Sequence, residues 1–212
     1  MYNYPHYKEQ DKERVIEFMR DHPFITLIGC NSKGRIEATQ IPVLIEEKEG
    51  KLIIHGHIAK KSDHHQALEE NPNVLALFTG AHTYVSGTWY AGNPHQASTW
   101  NYISVHARGQ IKFLDETALI DLLKKLSLRF ENNNLQSSTI YNNLPVEYKE
   151  KLIKAILAFE IEVTELDNVH KLSQNRDEKS YDNIVEQLKQ KEGDAKEIGE
   201  LMQNRRSKVF PS

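Results

Sequence analysis

Cysteine is almost absent from the 212-residue sequence, in which Cys30 is the only example. A single cysteine cannot form an internal disulfide, and it excludes a zinc or iron–sulfur site built from several cysteines. Cys30 ends an apolar stretch that begins at Phe24. A small buried side chain is therefore a better interpretation of Cys30 than a nucleophile.

Long apolar runs are absent as well. No segment approaches the length needed to span a membrane. The first residues also lack the basic segment and apolar core that are typical of a signal peptide. We therefore expect a cytoplasmic protein that has no membrane partner.

The sequence has no strong excess of one charge and no common nucleotide motif. Its 27 basic and 30 acidic residues leave a formal net charge of −3, which argues against general binding to nucleic acid or to an acidic membrane surface. A G-x-G-x-x-G motif, a Walker A motif and a nucleophile-elbow serine are all missing. The helices predicted near 118–130 and 146–157 are separated by too long a loop for a helix-turn-helix. DNA is therefore a partner class that neither net charge nor motif supports, although net charge does not exclude a local basic patch.

Short apolar and β-branched runs, separated by turn signals, make up much of the first two-thirds of the chain. Pro42 lies inside one of these runs and indicates a sheet edge, a bulge or a ligand-facing gap. Only one short helix is predicted among the early strands, which favours an antiparallel barrel over alternating β-α units. The predicted strands are 24–30, 35–45, 51–57, 74–79, 82–86, 99–114 and 158–166.

Helical periodicity predominates in the remainder of the chain. We predict a mainly β fold with added helices, consisting of a domain over 1–170 and a helical extension over 171–212. The extension is expected to pack on the barrel or on a partner subunit, because a helix rich in Glu, Lys and Gln gains little stability alone. The predicted helices are 9–21, 62–70, 118–130, 145–157, one around 181–188 and one around 198–202.

The segment 56–62 is the first candidate for a binding site, because a predicted strand leads into Lys60, Lys61 and Ser62 just before a helix begins. Helix N-termini carry unpaired N–H groups and partial positive charge, so cations placed there can hold a phosphate. A solvated turn with an ordinary serine cap explains the same pattern equally well. Asp63 is an alternative cap, and its carboxylate would compete with a phosphate for the same N–H groups.

Aromatic residues mark a second candidate, because both tryptophans, Trp89 and Trp100, flank one flexible loop. Trp100 is followed by Asn101, and such a pairing suits a flat heteroaromatic ring, which needs stacking and a few edge hydrogen bonds. Barrel core and strand propensity are the simpler explanation of these residue types.

Histidines are concentrated between His55 and His106. His55 and His57 share one strand face, yet no acidic residue or cysteine stands beside them at ligand spacing, so we predict no metal site. We interpret His64 and His65 as an exposed helix start.

A last candidate is the polar segment 171–176, which carries Lys171 and Arg176 between a strand and a helix. It could close over an anionic ligand, or it could be a polar connector.

Several segments, read in order, resemble the PaiB family, which is described as FMN-binding with a split β-barrel similar to pyridoxamine-phosphate oxidase. Its members are often described as negative transcriptional regulators of protease synthesis and sporulation. The Thr-Trp-Asn-Tyr segment at 99–102 and the Lys-Leu-Ser-Gln-Asn-Arg segment at 171–176 are the most specific. The segments that carry the resemblance are 22–24, 39–42, 55–60, 78–80, 84–86 with 89–90, 99–102 with 105–106, and 171–176.

The resemblance implies a homodimer with FMN at the subunit interface and a segment 171–176 that is contributed by the partner. The FMN phosphate would lie near the turn at 60–62, and the backbone of 39–41 would border the flavin ring. The implied flavin-binding residues are Thr39, Gln40, Ile41, His57, Lys60, Lys61, Ser62, Trp100, Asn101, Lys171, Gln174 and Arg176.

Three functions are consistent with this interpretation. The first is an FMN-binding transcriptional regulator of protease and sporulation genes. The second is an FMN-dependent oxidoreductase of unknown substrate, for which no general acid or base stands out, and His57 and His106 are the residues to test. The third, ranked last, is a haem-binding split barrel.

Overall fold

The structure is a computed structural model that describes residues 1–92 and 95–211, so two residues of the predicted loop between Trp89 and Trp100 and the final residue of the predicted extension lie outside the described residues. Short 3-10 turns form at Pro5–Tyr7, Gly87–Trp89 and Tyr141–Asn143. The strands are β1 (Phe24–Cys30), β2 (Ile36–Lys48), β3 (Lys51–Ala59), β4 (Asn73–Val85), β5 (Thr99–Phe113) and β6 (Ile156–Lys171). The helices are α1 (Lys12–Asp21), α2 (Asp63–Glu70), α3 (Glu116–Phe130), α4 (Val146–Ala155), α5 (Glu178–Lys189) and α6 (Asp194–Val209).

The six strands form a closed barrel in the order β1-β2-β3-β6-β5-β4. β1 pairs antiparallel with β2 and β4, and β3 pairs antiparallel with β2 and β6. The strand burial alternates between buried and partly exposed residues, as it does at Leu52 to Ile58 of β3, which is the pattern of strands with one face on a core. The predicted mainly β fold with added helices is confirmed.

Pro42 lies at the point where β2 changes its pairing partner. The pairs with β1 end at Pro42, opposite Phe24, and the pairs with β3 begin at Val43, opposite Gly56. Proline, which has no backbone N–H group, costs little stability at such a position, because neither the ladder with β1 nor the ladder with β3 needs a hydrogen-bond donor there. Val43 continues the bonding by donating to Pro23 O at 2.8 Å.

Three of the predicted strands had the wrong extent. The predicted strands 74–79 and 82–86 are one continuous strand, β4, in which Gly80 keeps the extended conformation. The predicted strand 158–166 extends in both directions to become the 16-residue β6. Strand pairing decides both outcomes, because ladder hydrogen bonds outweigh the weak local preference of a glycine or a polar run.

The described chain forms two compact units, and the predicted boundary between residues 170 and 171 stays a prediction. The central unit consists of 17–78 and 106–166, and the terminal unit consists of 1–16, 79–105 and 167–212, without the three residues that the structure does not describe. Both units contain parts of β4, β5 and β6.

Packing in the core of the central unit fixes the position of the end of β3. Gly56 of β3 is registered with Phe159 of β6, and a Cβ atom on Gly56 would lie 2.5 Å from the Phe159 ring. Only glycine therefore fits at this position. A second buried cluster joins α3 to the sheet and contains Leu119, Leu122, Leu123, Leu126, Tyr141 and Ala158.

The terminal unit contains a buried charge that joins the two ends of the chain. The side chain of Glu9 is 1% exposed and accepts from Arg205 NH1 at 2.5 Å and from Lys208 Nζ at 2.8 Å. Burial raises the pKa of Glu9, but the Lys208, Asp11 N–H and Arg205 hydrogen bonds outweigh burial and lower the pKa to about 2. Glu9 is therefore ionised and fully paired near neutral pH.

Candidate functional site

The first turn, which we define as Lys60–Ser62, joins β3 to α2 in the central unit. Lys60 and Lys61 are both exposed, and Lys60 Nζ donates to Ile153 O at 3.1 Å. Lys61 has a φ of 62°, a backbone conformation that is unfavourable for a residue with a side chain. Within residues 1–92 and 95–211, neither lysine forms an ion pair with a carboxylate. The turn thus presents two unpaired positive charges.

Ser62, not Asp63, is the N-cap of α2. Its Oγ accepts from His65 N at 3.1 Å and donates to Ala59 O at 3.0 Å. The carboxylate of Asp63 instead faces the Arg35 guanidinium at 3.8 Å. Asp63 therefore does not compete for the helix N-terminus, and the Ser62 hydroxyl is already engaged within the turn.

The two histidines of α2 are buried, so the prediction of an exposed helix start was wrong. His64 and His65 are 4% and 9% exposed. His64 Nδ1 lies 2.8 Å from Thr39 Oγ1, and His65 Nδ1 accepts from Lys61 N at 3.3 Å. The helix can approach β1 this closely because Gly29 has no side chain, and a Cβ atom there would lie 2.5 Å from Leu68.

β2 and β3 carry the remaining flavin-site predictions of the central unit. Gln40 is exposed, whereas Ile41 is 6% exposed and belongs to the core. His57 is half-buried, its Nδ1 is buried without a hydrogen-bond partner among the described residues, and burial lowers its pKa. A neutral imidazole with an unused ring nitrogen is the least satisfied polar group described on these strands.

A groove of about 520 Å³ between the sheet and α3 in the central unit is a feature that sequence reasoning missed. Its walls combine apolar and charged groups, and no short motif indicates it because it forms where a helix stands off a sheet. Its lining includes Leu44, His55, Leu114, Leu122, Lys125 and Arg129.

The second turn, which we define as Lys171–Arg176, leads from β6 into α5 in the terminal unit. Lys171 Nζ donates to Thr99 Oγ1 and to Trp100 O. Arg176 NH1 donates to Gln96 Oε1 at 2.6 Å, and its guanidinium lies 4.1 Å from the Tyr90 ring centroid. The two most specific sequence segments, 99–102 and 171–176, are therefore in contact within one chain.

Asn101 and Gln174 are both engaged inside the terminal unit. Asn101 is fully buried, accepts from Ser173 Oγ at 3.0 Å and donates to Met202 Sδ at 3.4 Å. Gln174 accepts from Leu172 N at 2.7 Å and donates to His170 O at 2.6 Å. These two amides hold the second turn in shape.

Trp100 points away from that buried network. Its side chain is 53% exposed, and its ring centroid lies 6.1 Å from those of both His82 and Tyr84. An exposed aromatic group of this kind can stack on a planar ring or on another protein surface.

Comparison with known proteins identifies the fold family. A family model described as "Putative FMN-binding domain" matches residues 1–165. The chain belongs to this FMN-binding domain family. It is 30% identical over 209 residues to the "Protease synthase and sporulation protein PAI 2" of Bacillus subtilis strain 168, with 98% of this chain and 99% of that protein covered. The predicted resemblance to the PaiB family is confirmed.

Solved structures at low sequence identity share the fold. An FAD and heme binding protein from Mycobacterium smegmatis matches with a TM-score of 0.55 at 18% identity, over 77% of this chain and 72% of that one. A flavocytochrome from Azotobacter vinelandii also matches with a TM-score of 0.55. Its identity is 20%, over 80% of this chain and 72% of that one. In the part of the chain that the structure describes, no helix has the length and apolar character of a membrane span, and no three metal-ligating side chains converge.

Proposed function

We propose that this protein binds FMN and that the first turn holds the flavin phosphate. The observation that carries the proposal is the pair of unpaired cations, Lys60 and Lys61, at a strand-to-helix turn in a chain of the FMN-binding domain family. A phosphate dianion is stabilised by ammonium groups and by the N-terminus of α2 together. Ser62 supports the site by capping the helix, since its hydroxyl is already bonded.

The chemistry of the surrounding groups fits a flavin. When it is bound, flavin supplies electron transfer that side chains cannot perform. Burial lowers the pKa of His57 and thereby favours its neutral form, and a neutral imidazole can form a hydrogen bond to a polar ring edge. The residues of this chain therefore bind and orient the flavin, and Lys60 and Lys61 contribute most of the positive charge that faces its phosphate.

The test compares FMN with riboflavin, which lacks the phosphate. In Lys60→Gln/Lys61→Gln, we expect FMN affinity to fall by roughly tenfold to a hundredfold, because charge-assisted hydrogen bonds to a phosphate are lost. Riboflavin affinity should stay the same. Flavin fluorescence quenching measures both constants, and Lys33→Gln, another exposed lysine of the central unit, is the matched control.

Three other results would contradict this proposal. If the double variant weakens FMN and riboflavin equally, the lysines do not contact the phosphate. If it weakens neither, the phosphate lies elsewhere. If neither flavin binds the unchanged protein, the cofactor assignment itself is wrong.

A regulatory role is the finer function that we propose, on the strength of the 30% identical relative named for protease synthesis and sporulation. The net charge of −3 means that direct DNA binding would need a basic patch. Binding to promoter DNA that weakens with salt, and that exceeds binding to random duplex, would support direct regulation. Equal binding to both would exclude sequence-specific regulation by this chain alone.

We also propose a cytoplasmic homodimer with flavin at its interface. Exposed apolar side chains on the strands support a partner surface, among them Phe24 at 64% and Ile36 at 71% exposure. Light scattering coupled to gel filtration should give twice the chain mass. A monomer that binds FMN with full affinity would contradict the interface site, and cell fractionation checks the location.

A further inference from the structure

The second turn borders a small polar cavity that is independent of the first turn. The cavity has a volume of about 50 Å³ and lies within the terminal unit. This volume suits a small polyatomic ion and is far too small for a three-ring flavin. Its lining consists of Tyr7, Thr99, Asn101, Lys171, Ser173, Asn175 and Arg176.

The net charge of the cavity wall is positive. Lys171 and Arg176 contribute two cations, and in the described part of the chain neither forms an ion pair with a carboxylate. Burial lowers the pKa of Lys171, and the neighbouring Arg176 charge lowers it further. Asp177, the acidic neighbour in sequence, is directed to the backbone N–H and hydroxyl of Ser180 as the cap of α5.

Both cations keep donors that no acceptor in residues 1–92 and 95–211 uses. The ammonium of Lys171 has three N–H groups, and two of them serve Thr99 Oγ1 and Trp100 O. Arg176 has five N–H groups, of which one bonds to Gln96. Partly buried donors of this kind are costly when they remain without an acceptor.

The backbone of the second turn is held in an unfavourable conformation. Ser173 has a φ of 59° and is 3% exposed, with its hydroxyl bonded to Asn101. Strain that is fixed by surrounding hydrogen bonds is often found at binding sites. Here the hydrogen bond from Ser173 to Asn101 and the bond from Arg176 N to Ser173 O at 3.0 Å fix the turn whose Lys171 and Arg176 side chains line one cavity.

We propose that this cavity binds one tetrahedral oxyanion, either inorganic phosphate or the phosphoryl group of a phosphate ester. The oxyanion accepts from Lys171 and Arg176 and supplies the direct ion pair that no carboxylate of the described chain forms with either cation. The proposal does not rest on flavin binding at the first turn.

Phosphate-dependent stability is the first test. A ligand that binds only the folded state raises the melting temperature as its concentration increases. We expect sodium phosphate to raise the Tm of the unchanged protein more than sodium chloride does at equal ionic strength and pH. The extra rise should disappear in Lys171→Gln and Arg176→Gln but persist in Lys179→Gln, a control on the exposed face of α5.

A second variant keeps the test valid if those substitutions disturb folding. Asn175→Asp adds a carboxylate of nearly the same shape to the cavity lining. It should raise the Tm without phosphate and weaken phosphate binding about tenfold or more, because the cavity then carries its own anion. Gln187→Glu makes the same chemical change on the exposed side of α5. It should neither raise the Tm nor weaken phosphate binding.

The source of the phosphoryl group is settled by flavin binding to Lys171→Gln. Unchanged FMN affinity together with lost phosphate dependence supports a separate ligand, whereas a loss of FMN affinity with riboflavin affinity retained supports the phosphate of FMN itself. The proposal is overturned if phosphate and chloride shift the Tm of the unchanged protein equally, or if Asn175→Asp and Gln187→Glu behave alike.

Discussion

The two turns have the same local parts but place their charges in different surroundings. Each follows a strand and precedes a helix, and each includes a residue with a side chain at positive φ, Lys61 in the first turn and Ser173 in the second. Each helix is capped by a side-chain oxygen, from Ser62 and from Asp177. The cations of the first turn are exposed, whereas those of the second line a cavity.

The difference arises from long-range packing and not from the turn sequences. The second turn is covered by the segment 99–101, which accepts hydrogen bonds from Lys171 and from Ser173. The first turn is bonded to its neighbours in sequence, Ala59 and His65, and to the end of α4. Exposed charges suit a site that a ligand approaches from solvent, and enclosed ones suit a tightly held ion.

The largest expected effect is the acid sensitivity of the second turn. Burial lowers the pKa of His170, which directly precedes Lys171, to about 4, and the positive charge of Arg205 adds to this effect. The unfolded chain takes up a proton on this residue near pH 6.5, so stability is complete above that pH and declines as the pH falls towards 4. The contribution of His170 to the free energy of unfolding should fall by about 3 kcal/mol over this range.

Urea unfolding between pH 7 and pH 4 measures this loss. His170→Gln should flatten the pH dependence, whereas His6→Gln, at an exposed histidine of the same unit, should leave it unchanged. An unaltered pH dependence in His170→Gln would show that His170 is not held neutral by burial.

The second effect concerns the amide that anchors the second turn. Asn101→Ala removes a fully buried side chain and leaves Ser173 Oγ without its acceptor. We expect a loss of about 2–3 kcal/mol in the free energy of unfolding, from the cavity and the unsatisfied hydroxyl together. A loss below about 1 kcal/mol in urea unfolding would mean that packing around 99–101 does not hold the turn.

The matching change in the first turn should have a smaller effect. Ser62→Ala removes the cap that accepts from His65 N, which typically costs about 1 kcal/mol. Ser62→Asp, another capping residue, should restore the stability. If Ser62→Ala costs as much as Asn101→Ala in the same measurement, the first turn is not the looser of the two.

The smallest effect separates the two positive-φ residues. Lys61→Gly and Ser173→Gly both relieve backbone strain and both add freedom to the unfolded chain. Only Ser173→Gly also loses a buried hydrogen bond, so it should be less stable than Lys61→Gly by about 0.5–1 kcal/mol. Thermal unfolding of the two variants side by side checks the difference, and equal stabilities would contradict it.

Much of the fold could be predicted from periodicity and turn residues. β1 begins and ends at the predicted residues, and α3 ends at the predicted residue 130. The prediction failed at Gly80, where pairing keeps β4 extended. It also failed at His64 and His65, whose burial depends on the close approach of α2 to Gly29. Such approaches depend on residues far apart in sequence, and local patterns do not contain them.

From the sequence, the candidate site was predictable only as two separate groups of polar residues, one at 60–62 and one at 171–176. Lysines before a helix indicate an anion site, but the sequence does not reveal that Lys60 and Lys61 lack an acidic partner in the described chain. It also does not reveal that Asn101 is fully buried and accepts a hydrogen bond from Ser173. Whether a polar group is free depends on its neighbours in space, and these are set by the whole fold.

The buried carboxylate of Glu9 makes the first and last segments of the chain depend on each other. Its partners Arg205 and Lys208 lie in the final turns of α6. Shortening the chain ahead of Arg205 would leave an anion inside the protein with no cation beside it, at a cost of several kcal/mol. The final turns of α6 therefore stabilise the N-terminal segment. An affinity tag should be attached after these turns through a linker and should not replace them.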